Sequence, residues 1–166
     1  MAKAGKAEPL DLGDVDRSVA YYLSIADGLC LQTFLTMVGG RARNARYIIL
    51  SLIRQNPGVT QVELGSTNFR DKSSMSPIIA GFVADGIVRR ERISRAGRPA
   101  MALFLTGKGE ALLGELQPIA EDHIARMIGI MGESDHASLI ALLRKLSLGL
   151  ADLTDELARG RAAASQ

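Results

Sequence analysis
What most constrains this chain is a single interruption in an otherwise helical pattern. Through most of the sequence apolar residues recur at three- and four-residue steps, the spacing of one helix face, but two short β-prone runs stand together near the middle. These are Ile87 to Ile93 and Met101 to Leu105. Ser94-Arg-Ala-Gly-Arg-Pro99 joins them, and its Gly and Pro mark a hairpin tip.

Four helices are expected before the hairpin. The first runs from Asp14 to Met37 with Val15, Val19, Tyr22, Leu23, Ala26, Leu29, Cys30, Thr33, Phe34 and Met37 in helical register, and Gly39-Gly40 ends it. A second, from about Arg43 to Gln55, turns Ala45, Ile48, Ile49, Leu52 and Ile53 inward and stops at Pro57-Gly58. Thr60-Gln-Val-Glu63 reads as a capping box that opens a short third helix. The fourth lies between Asp71 and Gly86, with Ile78, Ile79, Phe82 and Val83 on one face and Gly86 just past its end. After the hairpin, Thr106 opens a long helix to about Met131, and Ser134 caps another that carries Leu139, Leu142, Leu143, Leu146, Leu150, Leu153 and Leu157.

This order predicts a mainly α (α+β) fold: a winged helix-turn-helix of six helices with a two-stranded wing, enclosed by a helical dimerisation lobe. One domain is expected over residues 14–158. The winged helix-turn-helix covers about 43–105, and the dimerisation helices about 14–38, 106–131 and 134–157. A flexible arm (1–13) and a frayed tail (159–166) flank it. The leucine row of the last helix needs a partner, which predicts a homodimer.

Charge is unevenly spread. Residues 41–98 hold 11 basic against 4 acidic groups, a balance of +7, whereas residues 1–40 balance at −2 and residues 99–166 at −3. A basic middle between acidic ends is the pattern of a surface facing a polyanion, or of a solvated basic face. With 47% apolar residues and one cysteine, disorder and a disulfide scaffold are excluded. One Cys, two His and no Gly-rich phosphate loop leave no catalytic set, no metal site and no cofactor in view, so an enzyme is not expected. The opening residues have no apolar run behind their lysines, and no stretch is apolar enough to span a bilayer, so a cytoplasmic protein without membrane attachment is expected.

Four motifs in this order resemble the MarR family of bacterial transcription regulators: Pro57-Gly-Val-Thr-Gln-Val-Glu-Leu64, Asp71-Lys-Ser-Ser-Met-Ser76, Asp85-Gly-Ile-Val-Arg-Arg-Glu91 and Leu105-Thr-Gly-Lys-Gly109. The resemblance runs from Tyr47 to about Leu146 and implies a ligand-responsive, homodimeric DNA-binding regulator, most often a repressor, on an inverted repeat. Two features depart from it. The wing Ser94-Arg-Ala-Gly-Arg98 has no carboxylate before its tip, so the family's internal wing salt bridge does not carry over. Pro77 falls within the fourth helix, unless that helix begins at Ser76 with Pro77 at its first position. A Ser-Pro here is similar to the branch that senses organic hydroperoxides.

Candidate contacts with double-stranded DNA are Arg70, Lys72, Ser73, Ser74 and Ser76 around the start of the fourth helix, where a cation and short hydroxyls reach base edges and phosphates. Plain N-capping is the alternative. In the wing, strand alternation separates Arg89 from Arg90 by face, so some of its arginines should pack within the fold. Arg95 and Arg98 at the tip are the expected contacts, in a narrow minor groove or in solvent. Arg41, Arg43 and Arg46 suit phosphates or an anionic ligand. Tyr21, Tyr22, Tyr47 and His123 lie on elements that the resemblance places around an effector cleft; such stripes are also ordinary core. The tyrosines and arginines together suit a small effector that is an aromatic acid. Cys30 is expected to be buried and inert. The competing readings are a thiol-based redox sensor through Cys30 and a winged-helix module for protein contacts.

Overall fold
The computed structural model describes residues 10–39, 47–67, 72–95 and 97–164. A 3-10 turn at Gly13–Arg17 leads into α1 (Val19–Val38), and α2 (Tyr47–Gln55), β1 (Val59–Thr60), α3 (Gln61–Thr67) and α4 (Lys72–Ala84) follow. Then come β2 (Val88–Arg95), β3 (Arg98–Leu105), α5 (Gly107–Met131) and α6 (Glu133–Ala164). The expected six helices and hairpin are present. The sheet, however, has three strands in the order β1-β3-β2, because Val59 and Thr60 pair with Leu103 and Ala102. The wing is also longer than expected: pairing continues to Arg95↔Arg98.

The chain forms two compact units, Met1–Ile119 and Ala120–Gln166, with the boundary inside α5. In the first, Leu50 and Ile53 of α2, Leu64 of α3, Met75, Ile79 and Phe82 of α4, Val88 and Leu103 of the wing strands, and Leu113 and Leu116 of α5 are fully buried. Two expected stripes are rotated. On α2 the buried set is Ile49, Leu50 and Ile53, and Ile48 is exposed; on α4 it is Met75, Ile79 and Phe82, with Ile78 and Val83 half-buried. In both helices several apolar faces were available, and packing selected one.

Local signals set the joints. Thr60 and Glu63 close the capping box in both directions: the Thr60 amide donates to Glu63 Oε2 at 2.8 Å and the Glu63 amide to Thr60 Oγ1 at 3.3 Å. Gly86 takes φ +67° as α4 ends, with the Ile87 amide bonded to the Phe82 carbonyl and the Gly86 amide to that of Val83, a Schellman motif. Thr106 caps α5 through the Gly109 amide and also donates to the carbonyls of Gly86 and Ile87. A Cβ on Gly109 would collide with the Ile87 carbonyl oxygen, so only glycine lets α5 lie this close to the turn.

Other expectations change. Helix α4 starts at Lys72, not Ser76, and takes Pro77 inside it. Pro77 is exposed and costs the helix one bond, to the Ser73 carbonyl, while Met75, Ile79 and Phe82 hold it to the core. Helix α6 continues through Ala164, across most of the segment expected to fray. Cys30 is exposed, not buried. Only Phe34 and Val38 of α1 are buried, so the rest of that helix has little of its own chain to pack against.

Candidate nucleic-acid interface
The helix-turn-helix is α3 and α4, and the wing is β2 and β3. Gln61 on α3 donates its side-chain amide to Ser76 Oγ on α4 at 2.6 Å, so Ser76 helps lock the two helices together. Lys72, Ser73 and Ser74 occupy the first turn of α4. Arg70, Arg41, Arg43 and Arg46 lie outside the described residues.

The five wing arginines divide into two groups. Arg89 pairs with Glu91 and lies 4.4 Å above the Phe104 ring, so it packs within the wing. Arg95, expected to reach DNA, is turned onto Glu63 of α3, with Nη1 at 2.5 Å from both carboxylate oxygens. Glu63 is accordingly held below the ordinary carboxylate range, first by the Thr60 amide and hydroxyl and then by Arg95. Arg90, Arg92 and Arg98 are exposed, and their side chains make no hydrogen bond or ion pair with another described residue. Arg90 and Arg92 were missed as candidates. Strand alternation separated them from Arg89, but which face was outward depended on the packing of Phe104 and α3.

The three tyrosines expected at the effector cleft do not form one cluster. Tyr21 and Tyr22 meet edge to face with centroids 5.3 Å apart, and Tyr22 donates to Asp16, which raises its pKa. Tyr47 instead lies against Phe34, with centroids 6.2 Å apart, roughly 20 Å further along α1 at 1.5 Å per residue. His123 is half-buried in the second unit. An open groove of about 400 Å³ on α1 is lined by Gly28, Leu31, Gln32, Leu35 and Thr36. A cleft of about 470 Å³ lies between α2, β1, α3 and the wing, with Leu52, Pro57 and Leu64 in its wall and Glu63 and Arg95 at its side. Neither includes the tyrosines or His123. Among the described residues no group of His, Cys, Asp and Glu could hold a metal ion, and no helix is long and apolar enough to cross a membrane.

A sequence model of the MarR family matches residues 43–99, which hold the helix-turn-helix and the wing up to its tip. The chain has a winged-helix fold, and its segment 43–99 is similar to the MarR family. A curated relative, the HTH-type transcriptional regulator TtmR of Methylorubrum extorquens (strain PA1), is 27% identical over 70% of this chain but only 58% of its own length. The chain thus spans just over half of that relative. The transcriptional regulator HosA of Escherichia coli O157:H7 is 26% identical over 61% of this chain and 74% of its own. Among solved structures, the transcriptional repressor CouR bound to a 23-mer DNA duplex superposes with a TM-score of 0.71 at 24% identity, covering 84% of this chain and 99% of its own. The PcaV regulator of Streptomyces coelicolor, in complex with its natural ligand, reaches 0.66 at 20% identity, covering 85% and 97%. At that identity the superpositions speak to fold. The named relatives are transcriptional regulators, a non-enzymatic class.

Proposed function
We propose that this winged-helix chain acts in the cytoplasm as a homodimeric repressor that binds an inverted repeat in duplex DNA and releases it when a small aromatic acid binds. The wing carries this reading. Arg90, Arg92 and Arg98 stand exposed on a hairpin beside the helix-turn-helix, within the segment that holds the surplus of +7. In such a complex α4 enters the major groove, with Arg70, Lys72, Ser73, Ser74 and Ser76 at its leading end, and the wing tip follows the backbone or the minor groove. Two-fold symmetry then sets the half-sites about one helical turn apart. The exposed leucines of α1 and α6 support the dimer.

The test is binding to duplex DNA across salt concentrations. Affinity should fall steeply with salt, and Arg98→Ala should weaken binding and flatten the log-log slope by about one. Unchanged affinity at every salt concentration would remove Arg98 from the contacts. The acid effector is supported by the nature of Arg43, Arg46, Tyr21, Tyr22, Tyr47 and His123, and by the similar fold of CouR bound to p-coumaroyl-CoA, a thioester of an aromatic acid. A true effector should raise the melting temperature of the DNA-free protein and also displace DNA. The exposure of Cys30 favours a second reading, a thiol switch. That reading requires peroxide to release DNA, and Cys30→Ser to abolish the response.

A further inference from the structure
One carboxylate does two jobs where the helix-turn-helix meets the wing. Glu63 completes the cap of α3 through the Thr60 amide and hydroxyl, at 2.8 and 2.9 Å, and the same group receives Arg95 from a wing strand 32 residues away in sequence. Arg95 stands directly opposite Arg98 in the hairpin register. Like charges facing each other across a strand pair repel, and the last pair of a ladder is held by the fewest flanking bonds, so an uncompensated pair here would favour splaying of the tip. A carboxylate on one member removes most of that repulsion and anchors the tip to the start of α3.

We infer that Glu63 is a wing-positioning residue: through Arg95 it fixes the tip against α3, so that Arg98 is presented to DNA while Arg95 acts through the tie and makes no phosphate contact of its own. The second half rests on the DNA-binding reading above; the first does not. The anchor also explains how a wing with no carboxylate between Ser94 and Arg98 keeps its shape, because the acidic partner is borrowed from the helix-turn-helix.

Glu63→Gln is the informative change, since an amide oxygen still accepts from Thr60 while the negative charge that pairs with Arg95 is lost. Hydrogen exchange in the full-length, DNA-free protein should quicken at residues 94–100 in both Glu63→Gln and Arg95→Ala, by roughly two- to fivefold, the range for an exposed ion pair. Arg95→Lys, which keeps the charge, should largely restore the wild-type rate. Tip exchange equal to wild type in both variants overturns the tie, whatever happens with DNA. On duplex DNA, Glu63→Gln and Arg95→Ala should each weaken binding by a similar factor, the double variant should be no worse than either alone, and the salt slope should stay at the wild-type value. Tighter binding by Glu63→Gln, or a slope lower by about one in Arg95→Ala, would mean that Arg95 grips phosphate and that Glu63 competes for it, which overturns the positioning role. If the wild-type protein shows no salt-dependent binding, the DNA reading fails, and the exchange experiment still decides the tie.

Discussion
In the body of the first unit, Leu50, Met75, Ile79 and Phe82 have no solvent exposure at all, whereas on α6 Leu142, Leu148 and Leu157 are 64%, 65% and 60% exposed. Both regions show apolar residues at helical spacing, and only the first finds cover in its own chain. Among the described residues of the second unit, Ala120 is the one buried side chain. A helical repeat of leucines therefore states that a face requires cover without stating which chain supplies it. In the first unit, three short helices, a three-stranded sheet and the start of α5 converge on one core. Helix α6 presents the same residue types to solvent over 32 residues.

The contrast can be broken most directly in the core. Phe82→Ala should cost about 3–5 kcal/mol of folding free energy, read as a lower urea midpoint. A loss below 1 kcal/mol would mean that the buried body is not the stabilising unit. On α6 the same kind of truncation should act on assembly instead. Leu142→Ala with Leu146→Ala should leave the fold of the first unit intact, yet weaken the proposed dimer by about 3 kcal/mol, over a hundredfold in dissociation constant by sedimentation. A dimer of wild-type strength would place its interface elsewhere.

Smaller effects sharpen the joints of the body. Gly109→Ala forces a methyl group into the Ile87 carbonyl and should cost about 1–3 kcal/mol, while the exposed Gly114→Ala in the same helix, with open space around its Cβ position, should not destabilise. The smallest effect concerns pH. The carboxyl of Glu63 is held below its ordinary value near 4.3 by Thr60 and Arg95, so its contribution is complete above that value and is lost as pH falls through the depressed one. Measured by urea denaturation between pH 6 and 3, the stability advantage of wild type over Glu63→Gln should shrink on the acid side. A gap independent of pH would show that the charge on Glu63 contributes nothing.

Several joints were legible from residues alone because their chemistry is local. Thr60 with Glu63, Gly86 after α4, and Thr106 at the start of α5 each satisfy helix-end groups within a few residues, so type and spacing were enough. The glycine-proline tip announced the hairpin for the same reason. Pairing across the chain was not legible in this way. The β1 strand is only two residues long and exists through its register with Leu103 and Ala102, a signal too short to read. Helix α4 runs through Pro77, against local preference, because buried neighbours on both sides of the proline hold it.

The sequence by itself determined the order of the six helices and the wing, the caps of α3, α4 and α5, and the excess of positive charge in the middle of the chain, since these depend on residue type and short spacing; Ser134, expected to cap α6, instead lies inside that helix. Tertiary structure decided which face of α2 and α4 turned inward, that Cys30 lies at the surface, and which arginines face solvent. Arg89 is occupied by Glu91 and Phe104, and Arg95 by Glu63, which leaves Arg90, Arg92 and Arg98 outward. The physical reason is that a guanidinium takes whichever carboxylate or ring the fold brings within reach, and that distance is set by packing rather than by position in the chain.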